Sequence, residues 1–169
     1  MRIQLQLAND DDAPGLARLR EAVNGRLAAE FGDGFWCAGL STHGALAAVR
    51  KAQVYVARQR GGIVATLGLA THKPWAINLS CFGPRERPFY LTNMAVHPEF
   101  QRQGLGREAI QEARRIALLA GGDAIRLDAY DVPAGAGPFY SKCGFMEVAR
   151  TVYRATPLIY YEMALRGKA

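Results

Sequence analysis

Two glycines and two arginines crowd the start of a helix in the stretch Gln101-Arg102-Gln103-Gly104-Leu105-Gly106-Arg107. The body of that helix is sound, since Ala109, Ile110, Ala113, Ile116 and Ala117 recur at three- and four-residue spacing on one face. Its start carries no Ser, Thr, Asp or Asn to accept the first backbone N–H groups. Those groups, with the positive end of the helix dipole, form an anion site when no side chain caps them. Glycines let the backbone approach an anion closely, and nearby arginines add charge. The residue types therefore point to a phosphate-binding turn. Other chemistry is sparse. Cys37, Cys81 and Cys143 lie far apart, odd in number and without a C-x-x-C pair, which reads as reduced structural thiols in a cytoplasmic protein. His43, His72 and His97 have no metal-ligand spacing, so no metal is expected.

Three phosphate-binding loops compete for this turn. A Walker A loop ends in G-K-[ST], whereas Gly106-Arg107-Glu108 stands here, so that reading fails. A dinucleotide fingerprint, G-x-G-x-x-[GA], is formally met by Gly104, Gly106 and Ala109, with Asp128 at about the right distance beyond. That turn, however, follows the first strand of a repeating βαβ domain. Here three strands of antiparallel character precede it, and too little chain follows to finish such a sheet. The third loop emerges only from the surrounding elements.

Those elements can be read along the chain. Ile3, Leu5 and Leu7 alternate with Arg2, Gln4 and Gln6 as a half-buried strand. Asn9 to Asp12 offer an N-cap, and Pro14 a first-turn proline, for a helix reaching Arg26 or Ala29. The glycine-rich aromatic stretch Phe31 to Trp36 breaks it, and a second helix covers Ala45 to Lys51. Val54–Arg58 and Ile63–Leu69 flank a Gly-Gly turn as a hairpin. Residues 71–88, with three prolines, read as a long loop, and such loops are usually functional. Phe89–Val96 is a strand ended by His97-Pro98. The glycine-started helix runs to Ala120 and stops at Gly121-Gly122. A buried strand at Ala124–Ala129, a short helix at 134–143 and strands at Phe145–Arg150 and Leu158–Leu165 complete the chain. The order β-α-α-β-β-β-α-β-α-β-β mixes antiparallel hairpins with one β-α-β crossover, an α/β (α+β mixed) architecture.

A chain of 169 residues, half of them hydrophobic and 21% charged, fits a single soluble domain spanning 1–169. The net charge of +6 and pI of about 9.5 suit anionic small molecules, acidic proteins or nucleic acid equally well. The basic residues are scattered rather than clustered, which disfavours a dedicated nucleic-acid binder. The N-terminus lacks a signal-peptide core, and no apolar run approaches a membrane span.

Three blocks in order carry a family resemblance. Gln101-x-x-Gly104-x-Gly106 matches the Q/R-x-x-G-x-G/A signature of the GCN5-related N-acetyltransferases, the GNAT superfamily. Leu91 to Pro98 resembles that family's fourth strand running into its pyrophosphate loop. Ala136-x-x-Phe139-Tyr140-x-x-x-Gly144-Phe145 resembles its later helix-to-strand segment. With Leu5-x-Leu7-Ala8-x-x-x-Asp12 at the start, the resemblance covers nearly the whole chain. It implies a GNAT-like fold: a central, mostly antiparallel sheet with a splayed parallel strand pair that binds the cofactor, flanked by about four helices.

The resemblance also implies acetyl-CoA as donor and a primary amine as acceptor. The pyrophosphate would lie on backbone N–H groups of Arg102, Gln103, Gly104, Leu105, Gly106 and Arg107, with Gln101 of the motif also assigned to the cofactor, so that the cofactor itself caps the helix. The pantetheine arm would pair with Met94, Ala95 and Val96, and an N–H near Met94 would polarise the thioester carbonyl. Phe139 and Lys142 fall to the cofactor as well. Tyr140 matches the family's general acid; a tyrosine, with a reference pKa of about 10, keeps its proton at neutral pH and can give it to a departing thiolate. Many members carry a carboxylate on the fourth strand, where Thr92 and Asn93 stand here. Asp128 resembles the carboxylate of a protein N-terminal acetylating subgroup and either draws a proton through water or merely ends a strand or caps a loop. Pro133 replaces an asparagine that often contacts the pantetheine arm. In this family the segments matching 24–44, 71–88 and 150–160 line the acceptor cleft. Their Phe35, Trp36, His72, Trp75, Phe82, Arg85, Arg87, Tyr153 and Arg154 lean toward an acceptor with an aromatic or acidic portion. A CoA-binding protein without turnover stays open as a second reading, and the acceptor, the acyl range and a homodimer stay undecided.

Overall fold

The computed structural model describes residues 3–165. In chain order its elements are β1 (Gln6–Leu7), α1 (Ala13–Phe31), α2 (Thr42–Lys51), β2 (Val54–Gln59), β3 (Gly62–Ala70), β4 (Pro88–Val96), α3 (Leu105–Leu119), β5 (Ala124–Tyr130), α4 (Gly137–Lys142), β6 (Met146–Tyr153) and β7 (Thr156–Ala164). The strands hydrogen-bond in the order β1-β2-β3-β4-β5-β7-β6. The pairs β1–β2, β2–β3, β5–β7 and β6–β7 are antiparallel. β4 and β5 are parallel, joined from Pro88↔Ala124 to Tyr90↔Arg126. A parallel neighbour requires a crossover, and α3 supplies it. The residues divide into two compact units: 3–69 with 93–113, and 70–92 with 114–165.

In the first unit, α1 starts where the sequence places its signals. Asn9 and Asp12 form a reciprocal capping box over a 3₁₀ turn, Asp10–Asp12, and Pro14 sits in the first helical turn. Asp12 also holds Arg58 of β2 at 2.6 Å, which ties the helix start to the sheet. Ala13, Leu16, Ala45 and Val56 form the core between α1, α2 and β2. The helix runs to Phe31, beyond Ala29, and ends only where Gly32 takes a φ of +77°. α2 begins at Thr42 rather than Ala45, because the Ser41 hydroxyl accepts the Gly44 N–H at 3.0 Å. Ile3 and Leu5 are buried, but Leu7 is 59% exposed. The alternation fails there because the strand ends at Leu7 and the chain turns toward the Asn9 cap. Arg2 of the same alternation lies outside the described residues.

In the second unit, the register of β5 on β7 pairs Arg126 with Glu162, Leu127 with Tyr161 and Asp128 with Tyr160. Side chains alternate between faces, so Arg126, Asp128, Tyr160 and Glu162 share one face, while Leu127 and Tyr161 belong to the other. β6 extends past Arg150 to Tyr153, and its turn to β7 uses Arg154 and Ala155, both left-handed with φ of +46° and +64°. The segment 71–88 is not a slack loop. Ile77 is buried, the Tyr160 hydroxyl donates to the Ala76 carbonyl and accepts from the Asn78 N–H, and Phe82 stacks on the Tyr160 ring at 5.4 Å. Arg126, only 4% exposed, donates to the Gly83 carbonyl at 2.6 Å and lies 4.6 Å over the Phe82 ring.

Candidate active site

The turn that the sequence offers to an anion is built by the end of β4 and the residues after it. Strand conformation is interrupted at Asn93, which has a φ of +50° and is exposed between buried Leu91 and Ala95. Left-handed backbone costs an L-residue about 1 kcal/mol, and asparagine tolerates it better than most. Arg20 of α1 donates from Nη2 to the Asn93 carbonyl at 3.2 Å. Beyond Val96, the Pro98–Phe100 3₁₀ turn is capped by His97, whose Nδ1 accepts from the Glu99 N–H. The Gln101 side chain donates to the Val96 carbonyl at 2.9 Å, and Gln103 donates to the Glu99 carbonyl at 2.6 Å. Both glutamine side chains are thus spent on bracing the turn, which leaves its backbone to face a ligand.

Arg102 and Gly104 take left-handed φ values of +60° and +87° directly before α3. Turns of this kind gather successive N–H groups into a concavity that accepts an anion, beside the helix N–H groups that lack an intrahelical acceptor. A Cβ built at Gly104 meets nothing within 4 Å, so its side is open to an incoming group. The Leu105 side chain is buried in the core, and only its backbone is available to a ligand; Arg102 and Arg107 are exposed. These features suit a diphosphate. Met94 and Val96 are half-buried and Ala95 is buried, which leaves strand backbone as what this segment can offer.

The second unit carries Tyr140 and Asp128, and it does not bring them together. Tyr140 on α4 is 8% exposed and lies among Phe139, Phe145 and Tyr161, with ring centroids at 5.3, 5.6 and 6.2 Å. Gly137 lets α4 approach closely there, since a Cβ would stand 2.6 Å from the Tyr161 hydroxyl and the Tyr161 side chain would have to shift. Asp128 lies on the opposite face of β5, level with Tyr160. Desolvation pushes its carboxyl above the ordinary range, against a smaller opposing contribution from a backbone hydrogen bond. Desolvation also raises the Tyr160 hydroxyl, whose oxygen is committed to the 76–78 backbone. Lys142 is exposed on the last turn of α4.

Several residues that the sequence offers to an acceptor are otherwise engaged. Phe82 stacks on Tyr160, and Arg85 pairs with Glu162 at 2.8 Å. Phe35 packs edge-on against Trp36 at 5.0 Å. Trp75, by contrast, is 88% exposed. The sequence reading missed Asn93 as a backbone device and Arg20 as its partner. An asparagine in the middle of a strand is the signal for the first, since strands are poor in Asn and left-handed positions are rich in it. Nothing local signals the second.

Comparison with known proteins gives the family and the fold. The acetyltransferase (GNAT) domain family matches residues 50–147, more than half of the chain. The chain belongs to the GNAT acetyltransferase family. Solved structures with the same fold include yncA of Salmonella typhimurium, described as an acetyltransferase with its cofactor acetyl-CoA. It is 16% identical with a TM-score of 0.68, over 100% of this chain and 97% of the other. The ribosomal-protein-S18-alanine N-acetyltransferase of Escherichia coli is 16% identical with a TM-score of 0.69, over 99% and 96%. An aminoglycoside 6'-acetyltransferase type Ii is 13% identical with a TM-score of 0.68, over 98% and 99%. At such identities the likeness is one of fold, and the last two proteins, with different named acceptors, resemble this chain equally well. No curated protein sequence matches the chain.

Proposed function

We propose that the protein is an acetyl-CoA-dependent N-acetyltransferase acting on a primary amine of a small molecule or peptide. The observation that carries this reading is the braced turn at the start of α3, in which Arg102 and Gly104 are left-handed and the side chains of Arg102 and Arg107 are exposed. Acetyl-CoA supplies an acetyl group activated as a thioester, which a neutral amine attacks with release of the thiol. Backbone N–H groups from Arg102 to Arg107 hold the pyrophosphate, and Arg102 and Arg107 offset its charge; the Gln101 N–H is already given to the Pro98 carbonyl, so Gln101 serves the site by bracing the turn. The backbone of Met94 to Val96 aligns the pantetheine arm, with Phe139 and Lys142 as further cofactor contacts. The Met94 N–H polarises the reacting carbonyl.

Two protons must move. Tyr140 donates its hydroxyl proton to the departing sulfur as the C–S bond breaks. Asp128 lies on the other face of β5 from Tyr140, so in this reading it accepts, through intervening water, the proton that the amine loses as the C–N bond forms. A carboxyl raised by desolvation holds a proton more strongly and is a better base at neutral pH than an ordinary aspartate. Tyr140→Phe should lower kcat by about 10²-fold, the usual contribution of a general acid, and leave the CoA dissociation constant unchanged. Thiol release measured on the variant decides it: unchanged turnover removes Tyr140 from the chemistry.

A further inference from the structure

We propose that Arg20 is a positioning residue for carbonyl polarisation, a role that rests on the acetyltransferase reading above. The Asn93 carbonyl and the Met94 N–H belong to one peptide unit. A trans peptide is planar, and its C=O and N–H point in opposite directions. Whatever fixes the carbonyl fixes the aim of the N–H. Arg20 Nη2 donates to that carbonyl at 3.2 Å. Asn93 needs such a hold, because its left-handed φ of +50° breaks the extended run of β4 and leaves the residue exposed.

The anchor is itself rigid. Leu16 and Leu19 of α1 are buried, the Asn9–Asp12 capping box fixes the helix start, and α1 also packs against the Pro98–Phe100 turn. One helix therefore holds both the left-handed peptide and the base of the anion-binding turn. Arginine suits the task chemically, since a guanidinium stays charged at all working pH values. A positive charge on the carbonyl oxygen draws electron density along the peptide and makes its N–H a stronger donor. Arg20 touches neither donor nor acceptor in this role and acts entirely through the Met94 N–H.

The test reads polarisation directly. Acetyl-CoA labelled with ¹³C at the thioester carbonyl is bound to the wild-type chain, Arg20→Gln and Arg20→Lys, and the carbonyl stretch is recorded by difference infrared spectroscopy. The wild type should shift the band to lower frequency relative to free acetyl-CoA. Arg20→Gln should lose most of that shift, and kcat should fall about 10- to 100-fold, less than complete loss of an oxyanion donor costs. The acetyl-CoA dissociation constant and the amine KM should change by less than about twofold, the pattern of an interaction made mainly in the transition state. Arg20→Lys, which keeps a charged donor, should recover part of both the shift and the rate. An unaltered band and rate in Arg20→Gln overturn the proposal while acetyl transfer stands, as does loss of acetyl-CoA binding in that variant alone. No binding by the wild-type chain overturns the acetyltransferase reading itself, and this proposal with it.

Discussion

Asp128 is the residue at which two roles make opposite predictions. Asp128 lies within β5 rather than at its end, and an aspartate with only a structural role there stabilises the fold, so that its replacement costs stability. A catalytic base kept partly desolvated costs the fold something. Its folded pKa is raised, so the folded state holds a proton that the unfolded chain has released. Stability therefore falls as pH rises from the unfolded value, about 3.9, through the folded one. Asp128→Asn should melt at a higher temperature than the wild type at pH 7, with the gain vanishing below about pH 3.9, while kcat falls by about 10²-fold. Thermal unfolding at the two pH values, with thiol release at pH 7, checks both halves; a variant that loses stability at pH 7 marks a structural aspartate. At this scale the sequence was legible where a motif names the residue. Gly104 and Tyr140 stand out through their neighbours in the chain. Arg20 and Asn93 do not, because their bond joins residues 73 positions apart and engages a backbone carbonyl, which any residue type carries.

Helices and strands were more legible than their ends. All eleven elements follow the predicted order, because the periods of 3.6 and 2 and the glycine stops survive folding. The segment 71–88 was read as loop because its order comes from distant partners: Tyr160 at the 76–78 backbone, Asp123 at the Glu86 and Arg87 N–H groups, and the arginine pair on Glu162. The turn Arg154-Ala155 escaped for the opposite reason, since two left-handed residues without glycine or asparagine give no signal. Glu162 holds the segment most firmly. Burial pushes its carboxyl up, but hydrogen bonds from Arg85 and Arg126 outweigh this and hold it below the usual range. Glu162→Gln leaves buried Arg126 without its anion and should cost roughly 2–3 kcal/mol in urea unfolding at pH 7. A depressed folded pKa means the contribution is complete above the unfolded value, about 4.3, and is lost as pH falls through the folded one. The variant and the wild type should thus converge in acid, and an equal difference at pH 7 and pH 3 would show that the loss is steric.

At the scale of the molecule, this member of the GNAT acetyltransferase family has a seven-stranded sheet with a parallel β4–β5 pair, a left-handed peptide in β4 and a braced turn at the start of α3. No helix among the described residues is long and apolar enough to cross a membrane. The positive charge, spread along the chain, suits a polyanionic cofactor. The family was readable because three motifs fall in order on the right elements. The acceptor was not, since the fold carries very different acceptors among its relatives and the aromatic residues near the expected cleft are partly consumed by packing. The central claim is that a CoA pyrophosphate caps α3. Thermal unfolding with acetyl-CoA, CoA, NADH and ATP in parallel tests it most directly. A ligand at 100 times its dissociation constant adds about 2.7 kcal/mol, or about 5–10 °C for a chain of this length. Acetyl-CoA and CoA should give that shift and NADH and ATP should not. A shift with NADH alone would restore the dinucleotide reading of Gly104, Gly106 and Ala109, and no shift with any of the four would leave the turn without its ligand.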